Sequence, residues 1–269
     1  MDNKTVIITG GASNLGKSLV TTFAAKGWNV HATVRNASDE GLFSHPNVSY
    51  HTLDLTDTNS IYNTINTIAK QSNIDALINN AGFVLSGPFE NYSDEQIRRE
   101  MEVNFFGSLF TIKAVLPFLK TQQQGVIVNI SSLCGLLTFP MLSVYHASKW
   151  AIEGFSESLM YELEPFNIKI KLIEPGGIKE NNYSANIEFA ATPTPEYTDL
   201  INKVHHSNWF PSFSEPDNIA KRIFEITNDN SSQLRYRIGA DSDLLYNERI
   251  NNLDQEKHLD KIRQRISNK

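Results

Sequence analysis

The stretch GGASNLGKS, Gly10–Ser18, follows the apolar run TVIIT at Thr5–Thr9 and admits two readings. From Gly11 it has the form G-x-x-x-x-G-K-S. In such a loop backbone amides cradle phosphates, the lysine reaches the terminal phosphates and the serine holds magnesium. From Thr9, TGGASNLG has the outline of a glycine turn that joins a first strand to a helix and sets the helix N-terminus against a pyrophosphate. The two readings need different companions. The first wants a metal-binding carboxylate at another strand end, where only Glu174, closing IKLIE, offers itself. The second wants small polar residues at several strand ends.

Outward from the turn, short apolar or β-branched runs alternate with longer stretches of helical period, as in βαβ units. Thr5–Thr9, Asn29–Val34, Val48–Leu53, Ala76–Asn79, Val126–Ser131, Ile168–Glu174 and Leu234–Ile238 read as strands covered on both faces. Leu15–Lys26, Asn59–Ala69, Asp94–Leu119 and Ser143–Glu164 read as helices. A Ser93/Gln96 capping box opens the third, and Pro117 is expected to bend its last turn. The expectation is an α/β, Rossmann-type doubly wound, mostly parallel seven-stranded sheet with helices on both faces, as a single domain over residues 1–269. About 177–216 the rhythm breaks. That stretch is rich in Asn, Pro and Thr, carries Trp209, Phe210 and Phe213, and reads as a substrate loop. The charged tail from Asp241 to Lys269 reads as a packing helix.

The chain has 269 residues, a net charge of −6, 40% apolar and 20% charged residues, the composition of a soluble globular protein. Its acidic balance speaks against nucleic-acid and anionic-membrane partners. Cys134 stands alone, so a reducing compartment fits. No apolar run approaches the ~20 residues of a spanning helix and no signal-peptide core is present, so a cytoplasmic location is expected. Neither Cys134 nor the pair His205-His206 has metal-ligand spacing, and no metal is expected.

Tyr145 and Lys149 lie four apart near the start of a helix and share a face. A phenol with pKa ~10 is a poor acid or base at neutral pH. A nearby ammonium lowers that pKa, and bringing it near 7 takes about 4 kcal/mol. One partly exposed lysine does not supply that alone; a cationic ring bound close by would add the rest. By itself the pair is ordinary surface chemistry, and its surroundings change the reading. GVIVNISS, Gly125–Ser132, is a strand ending in two hydroxyls; IDALINNAG, Ile74–Gly82, and IEPGG, Ile173–Gly177, also end in small or polar residues. Parallel strands present ligand sites at their carboxyl ends. With the glycine turn, these ends converge on one edge of the sheet, and turn chemistry explains each of them separately but not the set.

From Thr5 to Gly177 these motifs succeed one another in an order that resembles the short-chain dehydrogenase/reductase family, in its compact one-domain branch. They are the glycine turn, LDLTD at Leu53–Asp57, NNAG at Asn79–Gly82, VNFFG at Val103–Gly107, then ISS, YHASK and PGG. The resemblance implies that Tyr145 exchanges a proton with the substrate oxygen while Ser132 hydrogen-bonds that oxygen. The family's spacing of thirteen to the tyrosine selects Ser132 over Ser131. Lys149 is implied to hold the nicotinamide ribose and depress the phenol's pKa, and Asn104 to anchor a water that relays protons to Lys149. Cofactor contacts are implied for Gly10, Ser13, Asn14, Leu15 and Gly16; for Asn80, Ala81 and Gly82; for Pro175, Gly176 and Ile178; and for Asp54 at the adenine, besides Tyr145 and Lys149. Hydride passes between the nicotinamide and the substrate carbon. The nucleotide-triphosphatase reading leaves these motifs without purpose, and in the dehydrogenase reading Lys17 is a first-turn residue facing water.

Two positions depart from the family pattern. Asn14 stands where the middle glycine belongs, and is expected to take positive φ, with an amide that either crowds or bonds the pyrophosphate. Glu180 stands where a threonine is common, which leaves its role in doubt.

The second strand ends HATVRNAS. Val34 replaces the acidic residue of NAD-preferring relatives, and the Arg35 guanidinium suits a 2′-phosphate, with a second hydrogen bond from Ser13. The expected cofactor is NADP(H) in preference to NAD(H). The expected partner is a small carbonyl or alcohol. Val84, Leu85, Leu133, Leu136 and Phe139, with Trp209, Phe210 and Phe213, suggest that it is apolar or aromatic. An NADP(H)-sensing protein without turnover is the alternative, against which the intact Tyr–Lys pair speaks. Relatives assemble through their two long helices, so a homodimer or homotetramer is expected.

Overall fold

The computed structural model describes residues 3–267 apart from 41, 43, 180–185, 192, 193, 208 and 252–254. Its centre is β1 (Thr5–Ile8), in which Val6, Ile7 and Ile8 have no exposed surface. β2 (Asn29–Val34) and β4 (Ala76–Asn79) run parallel on either side, with Ile7 opposite both His31 and Leu77. β3 (Val48–Thr52) extends the sheet past β2, and β6 (Gly125–Ile130), β7 (Ile168–Pro175) and β9 (Arg235–Ile238) extend it past β4. The order is β3-β2-β1-β4-β6-β7-β9, and all the pairings are parallel. A separate two-stranded sheet of β5 (Val84–Ser86) and β8 (Ile187–Phe189) was not expected.

Alternation along each strand feeds two cores. Val6, Ile8, Val30 and Ala32 point to one face and are covered by α1 (Asn14–Ala25) and α7 (Pro216–Asn228). Ile7, Leu77 and Ile127 point to the other and are covered by α2 (Thr58–Ala69), α4 (Gly107–Gln122) and α5 (Ser143–Leu163). Each such side chain contributes roughly 1.5–3 kcal/mol by leaving water. Helix α7 lies where the sequence reading passed from loop to strand. Its start at Pro216 and the buried set Ile219, Ala220, Ile223 and Ile226 are the signals that mark it.

The third helix is not one regular helix. The Ser93/Gln96 capping box opens α3 (Asp94–Met101), a π turn over Glu102–Phe106 follows, and α4 carries the chain to Gln122 with Pro117 inside it. The irregularity thus falls at VNFF, where Asn104 sits. Contrary to the expectation, Asp94–Gln122 has the length and hydropathy of a spanning segment. Its residues Ile112, Ala114, Val115 and Leu119 lie instead in the second core. The stretch read as a substrate loop contains β8 and α6 (Thr198–His206). The tail forms two helices rather than one, α8 (Ala240–Ile250) and α9 (Gln255–Ser267).

Candidate active site

The chain leaves β1 toward β2 and β3 on one side and returns through β4 on the other, so a crevice opens at the carboxyl ends of β1 and β4. Thr9 sews the two ends together, its hydroxyl accepting from the amides of Asn80 and Ala81, each at 3.0 Å. The Asn80 amide donates to the Thr9 and Gly10 carbonyls at 2.9 and 3.1 Å. Gly10 carries the left-handed φ of +68°, and a Cβ on Gly16 would stand 2.1 Å from the Gly10 carbonyl oxygen. This turn therefore admits no side chain at Gly16 and brings backbone to the crevice.

Three expectations about the turn are corrected. Asn14 is the first residue of α1 and does not have positive φ, because Gly10 supplies the left-handed step. Its amide donates to the Lys179 carbonyl at 3.1 Å, tying the turn to the chain after β7. Ser13 caps α1: its hydroxyl gives its one proton to the Gly10 carbonyl at 2.9 Å and accepts from the Gly16 amide at 3.0 Å, so it has none left for a 2′-phosphate. Lys17 does not simply face water. With Ser13, Asn14, Arg35 and Asp54 it lines a cavity of about 750 Å³ that reaches Ala81, Gly82 and Phe83. Ser18 donates to Asp217 on α7 at 2.6 Å, and Glu174 is fully buried against Arg235 at 3.2 Å. The magnesium ligands of a triphosphatase loop are thus committed elsewhere. Asp54 is both a turn cap, accepting from Thr56, and part of the cavity wall.

Through Ser13, Gly82, Phe83, Asn186 and Ile187 this cavity joins a second of about 400 Å³. Ser132, Tyr145 and Lys149 meet there, with Leu15, Asn80, Pro175, Gly176 and Ile178 in its wall. Lys149 reaches from α5 to the end of β6 and donates to the Ile130 carbonyl at 2.9 Å; its Nζ lies 5.6 Å from the centre of the Tyr145 ring. Ser132 accepts from the Cys134 amide at 3.1 Å, which leaves its proton to give. Both Asn104 amide protons are in use, on the Phe83 carbonyl at 2.8 Å and the Ser148 hydroxyl at 3.3 Å. Its oxygen accepts from the Phe83 amide at 3.0 Å and keeps one lone pair. A Cβ on Gly82 would stand 3.1 Å from that oxygen and 4.0 Å from the lysine nitrogen.

Electrostatics here differ from the expectation. Lys149 is 7% exposed rather than partly in water, and burial pulls it down to about 8. Burial also pushes the Tyr145 phenol well above its ordinary value; the nearby Ser132 hydroxyl opposes this, and the lysine does not reverse it. Burial outweighs the ammonium. Cys134, pushed up to about 12, stays a thiol.

Sequence reasoning missed His146. Its Nδ1–H donates to the Cys134 carbonyl and its Nε2 accepts from the Phe139 amide, both at 2.8 Å, so the loop after Ser132 is tied to α5. Tyr145 and the Ser132 loop are thereby held by adjacent residues of one helix. Of the apolar candidates, Val84 and Phe139 line the second cavity, whereas Leu85 and Leu133 are fully buried beside it and Leu136 is not in its wall. Trp209, Phe210 and Phe213 do line it, and the first two pack on Phe139 with ring centres 5.5 and 5.3 Å away. Glu180 lies outside the described residues.

Residues 4–189 match the family model described as short chain dehydrogenase. An uncharacterized oxidoreductase of Schizosaccharomyces pombe is 34% identical over 249 residues, 88% of this chain and 82% of its own length. The 3-ketodihydrosphingosine reductase of Bacteroides thetaiotaomicron is 34% identical over 204 residues, 74% of this chain and 73% of its own. The solved structure of ElxO with NADP bound is similar with a TM-score of 0.74 and 28% identity, covering 88% of this chain and 98% of that one.

Proposed function

The chain belongs to the short-chain dehydrogenase family, and from that premise we propose that it is an NADP(H)-dependent oxidoreductase interconverting a carbonyl and an alcohol on an apolar substrate. The observation that carries this reading is the meeting of Ser132, Tyr145 and Lys149 in the wall of the second cavity, which is continuous with the first. The glycine-lined crevice, closed to a Cβ at Gly16, fits a dinucleotide with its pyrophosphate against the N-terminus of α1. Gly10, Leu15, Gly16, Asn80, Ala81, Gly82, Pro175, Gly176 and Ile178 would form its bed, and Asp54 would meet the adenine. When bound, the nicotinamide supplies or accepts the hydride. Ser132 donates its hydroxyl proton as a hydrogen bond to the substrate oxygen and steadies the charge developing there. Tyr145, kept protonated by burial, gives its proton to the same oxygen in reduction and takes it back in oxidation. Lys149, fixed by the Ile130 carbonyl, holds the ribose and restores the tyrosine's proton, with the remaining Asn104 lone pair as the anchor for a relaying water. Turnover of a panel of aldehydes and ketones with NADPH tests the reading, and no turnover of any of them would leave only cofactor sensing.

The preference for NADP(H) rests on Arg35 and Lys17, two cations in the wall of the larger cavity, and is supported by NADP in the ElxO structure. Asp39 shares that wall and works against them. A charge-assisted hydrogen bond contributes about 1.5–3 kcal/mol. Arg35→Ala is therefore expected to raise the KM for NADPH by roughly 10- to 100-fold and leave that for NADH nearly unchanged. Equal effects on both cofactors would remove Arg35 from the phosphate site.

The aromatic wall of Phe139, Trp209, Phe210 and Phe213 favours an apolar or aromatic ketone or alcohol. The Bacteroides relative, named as a 3-ketodihydrosphingosine reductase, supports that class. Phe106, Trp150 and Tyr161 are exposed along the π turn and α5, a surface suited to a homodimer or homotetramer in the cytoplasm. Light scattering is expected to give two or four times the monomer mass of 30.3 kDa, and a lower mass on Tyr161→Glu.

A further inference from the structure

The Asn14–Lys179 hydrogen bond joins two places that the sheet order keeps apart. The turn from Thr9 to Ser13 is fixed at the ends of β1 and β4, where the Asn80 amide donates to the Thr9 and Gly10 carbonyls and, at 3.2 Å, to the Ser13 hydroxyl. β7 lies two places beyond β4, with β6 between them. At the ordinary strand spacing that gap is roughly 10 Å, more than an asparagine side chain spans. The 3.1 Å bond from Asn14 Nδ2 to the Lys179 carbonyl therefore exists because the chain after β7 comes back over the end of β6. That end carries Ser132 and the Ile130 carbonyl on which Lys149 rests. Asn14 lines the larger cavity, and Ile178, the neighbour of Lys179, lines the smaller.

Lys179 is held at three points. Its amide donates to the Ser214 carbonyl at 2.9 Å, its ammonium meets Glu215 at 2.6 Å, and its carbonyl accepts from Asn14. Ile178 pairs with Ser214 in a parallel bridge, and the Ser214 amide donates to the Gly177 carbonyl at 2.8 Å. Two of the three holds thus bind Lys179 to the segment before α7, and the third joins it to the glycine turn. Helix α7 is fastened to α1 separately, by packing and by the Ser18–Asp217 bond. Losing the Asn14 bond would open the crossing without loosening α1 from α7. A glycine at position 14, as in the family pattern, has no side-chain donor for it.

We propose that Asn14 is a positioning residue that tethers the chain after β7 across the dinucleotide crevice, so that NADP(H) enters and leaves while the Asn14–Lys179 bond is open. This rests on the dinucleotide reading above. The bond joins protein to protein and lies at the surface, where water takes its place when it opens. Formed equally in free and loaded protein, it slows entry and exit by one factor and leaves affinity unchanged.

Stopped-flow fluorescence of NADPH with wild type, Asn14→Ala and Asn14→Gly tests the tether. In both variants the association and dissociation rate constants are expected to rise together, each roughly 3- to 10-fold for the loss of one hydrogen bond, with the Kd within about threefold of wild type. Faster dissociation with unchanged association would make Asn14 a direct contact of the cofactor and overturn the proposal, as would two unchanged rates. In protein without cofactor, the Lys179 amide is expected to exchange its hydrogen several-fold faster in Asn14→Ala, and unmoved exchange overturns the tether whatever the rates do. Should Asn14→Ala fail to fold, Asn14→Gly decides by the same measurements. Wild type that binds neither NADPH nor NADH would sink the dinucleotide reading; wild type that binds, with the variants' rates unmoved, sinks the tether alone.

Discussion

Tyr145→Phe is expected to lower kcat for carbonyl reduction by about 10³-fold while leaving the Kd for NADPH within a few-fold of wild type. The ring itself is held by neighbours that phenylalanine would keep: His146 at 6.4 Å between ring centres and Lys149 above it at 5.6 Å. The Cys134 amide would still donate to Ser132, although that serine loses its hydrogen bond to the phenol. What disappears is the proton. Ser132 would still polarise the substrate oxygen, which accounts for residual turnover. Burial keeps the phenol protonated and so favours reduction at neutral pH. Oxidation needs the phenolate, and with the protein's own groups opposing it the positive charge of an oxidised nicotinamide would have to assist. Alcohol oxidation should therefore have the more alkaline optimum of the two directions. Steady-state rates and fluorescence titration of NADPH, measured on the same preparations, check the separation of chemistry from binding. Retention of more than a tenth of the wild-type rate would show that the proton comes from elsewhere.

What the amino-acid sequence disclosed was set by how far each signal extends. The inner strands of the large sheet are covered on both faces and read as near-continuous apolar or β-branched runs, and the ends of all seven strands, the more polar edge strands β3 and β9 included, came out within a residue or two. β5 and β8 are three residues each and exist because they meet each other across a long stretch of chain, a pairing that no local pattern announces. Helix α7 has local signals that are masked because Pro216, its first residue, also reads as the end of a loop. At the site, Ser132, Tyr145 and Lys149 were legible because their spacing along strand and helix brings them together. Hydrogen bonds were not. Nothing in SNLG says that Ser13 spends its proton on Gly10, or that the Asn14 amide turns to Lys179. His146 looked like filler inside YHASK, since its two partners are backbone groups of a loop whose path was unknown. The electrostatic error had the same origin: the Tyr–Lys spacing was visible, but the burial that outweighs it belongs to the folded chain.

Acidification from pH 7 to pH 4 is expected to cost the fold about 3 kcal/mol through one histidine pair remote from the catalytic groups. His31 on β2 and His51 on β3 point to the same face of the sheet and meet Nδ1 to Nε2 at 2.9 Å, with ring centres 5.1 Å apart. That bond needs one ring to donate and the other to accept, so at least one ring is neutral when it forms, and protonating both breaks it. Burial first, and then the charge of His51, hold His31 down to about 4 from an ordinary 6.5; burial lowers His51 too, while Glu40 opposes. Above pH 6.5 neither the folded nor the unfolded chain protonates this ring, and its contribution to stability is fully present. Between 6.5 and about 4 the unfolded chain takes up the proton that the folded one refuses, so stability falls with pH until the folded ring protonates as well. The buried acids Glu100, Glu153 and Glu174, all pushed up, act in the opposite sense, because the folded chain holds their protons more tightly. The measurement must therefore be a difference. Denaturant unfolding of wild type and His31→Phe, each at pH 7 and pH 4, should show the wild type losing about 3 kcal/mol more than the variant over that interval. Equal losses in the two proteins would mean that the ring protonates in place, with the neighbouring strands relaxing around it.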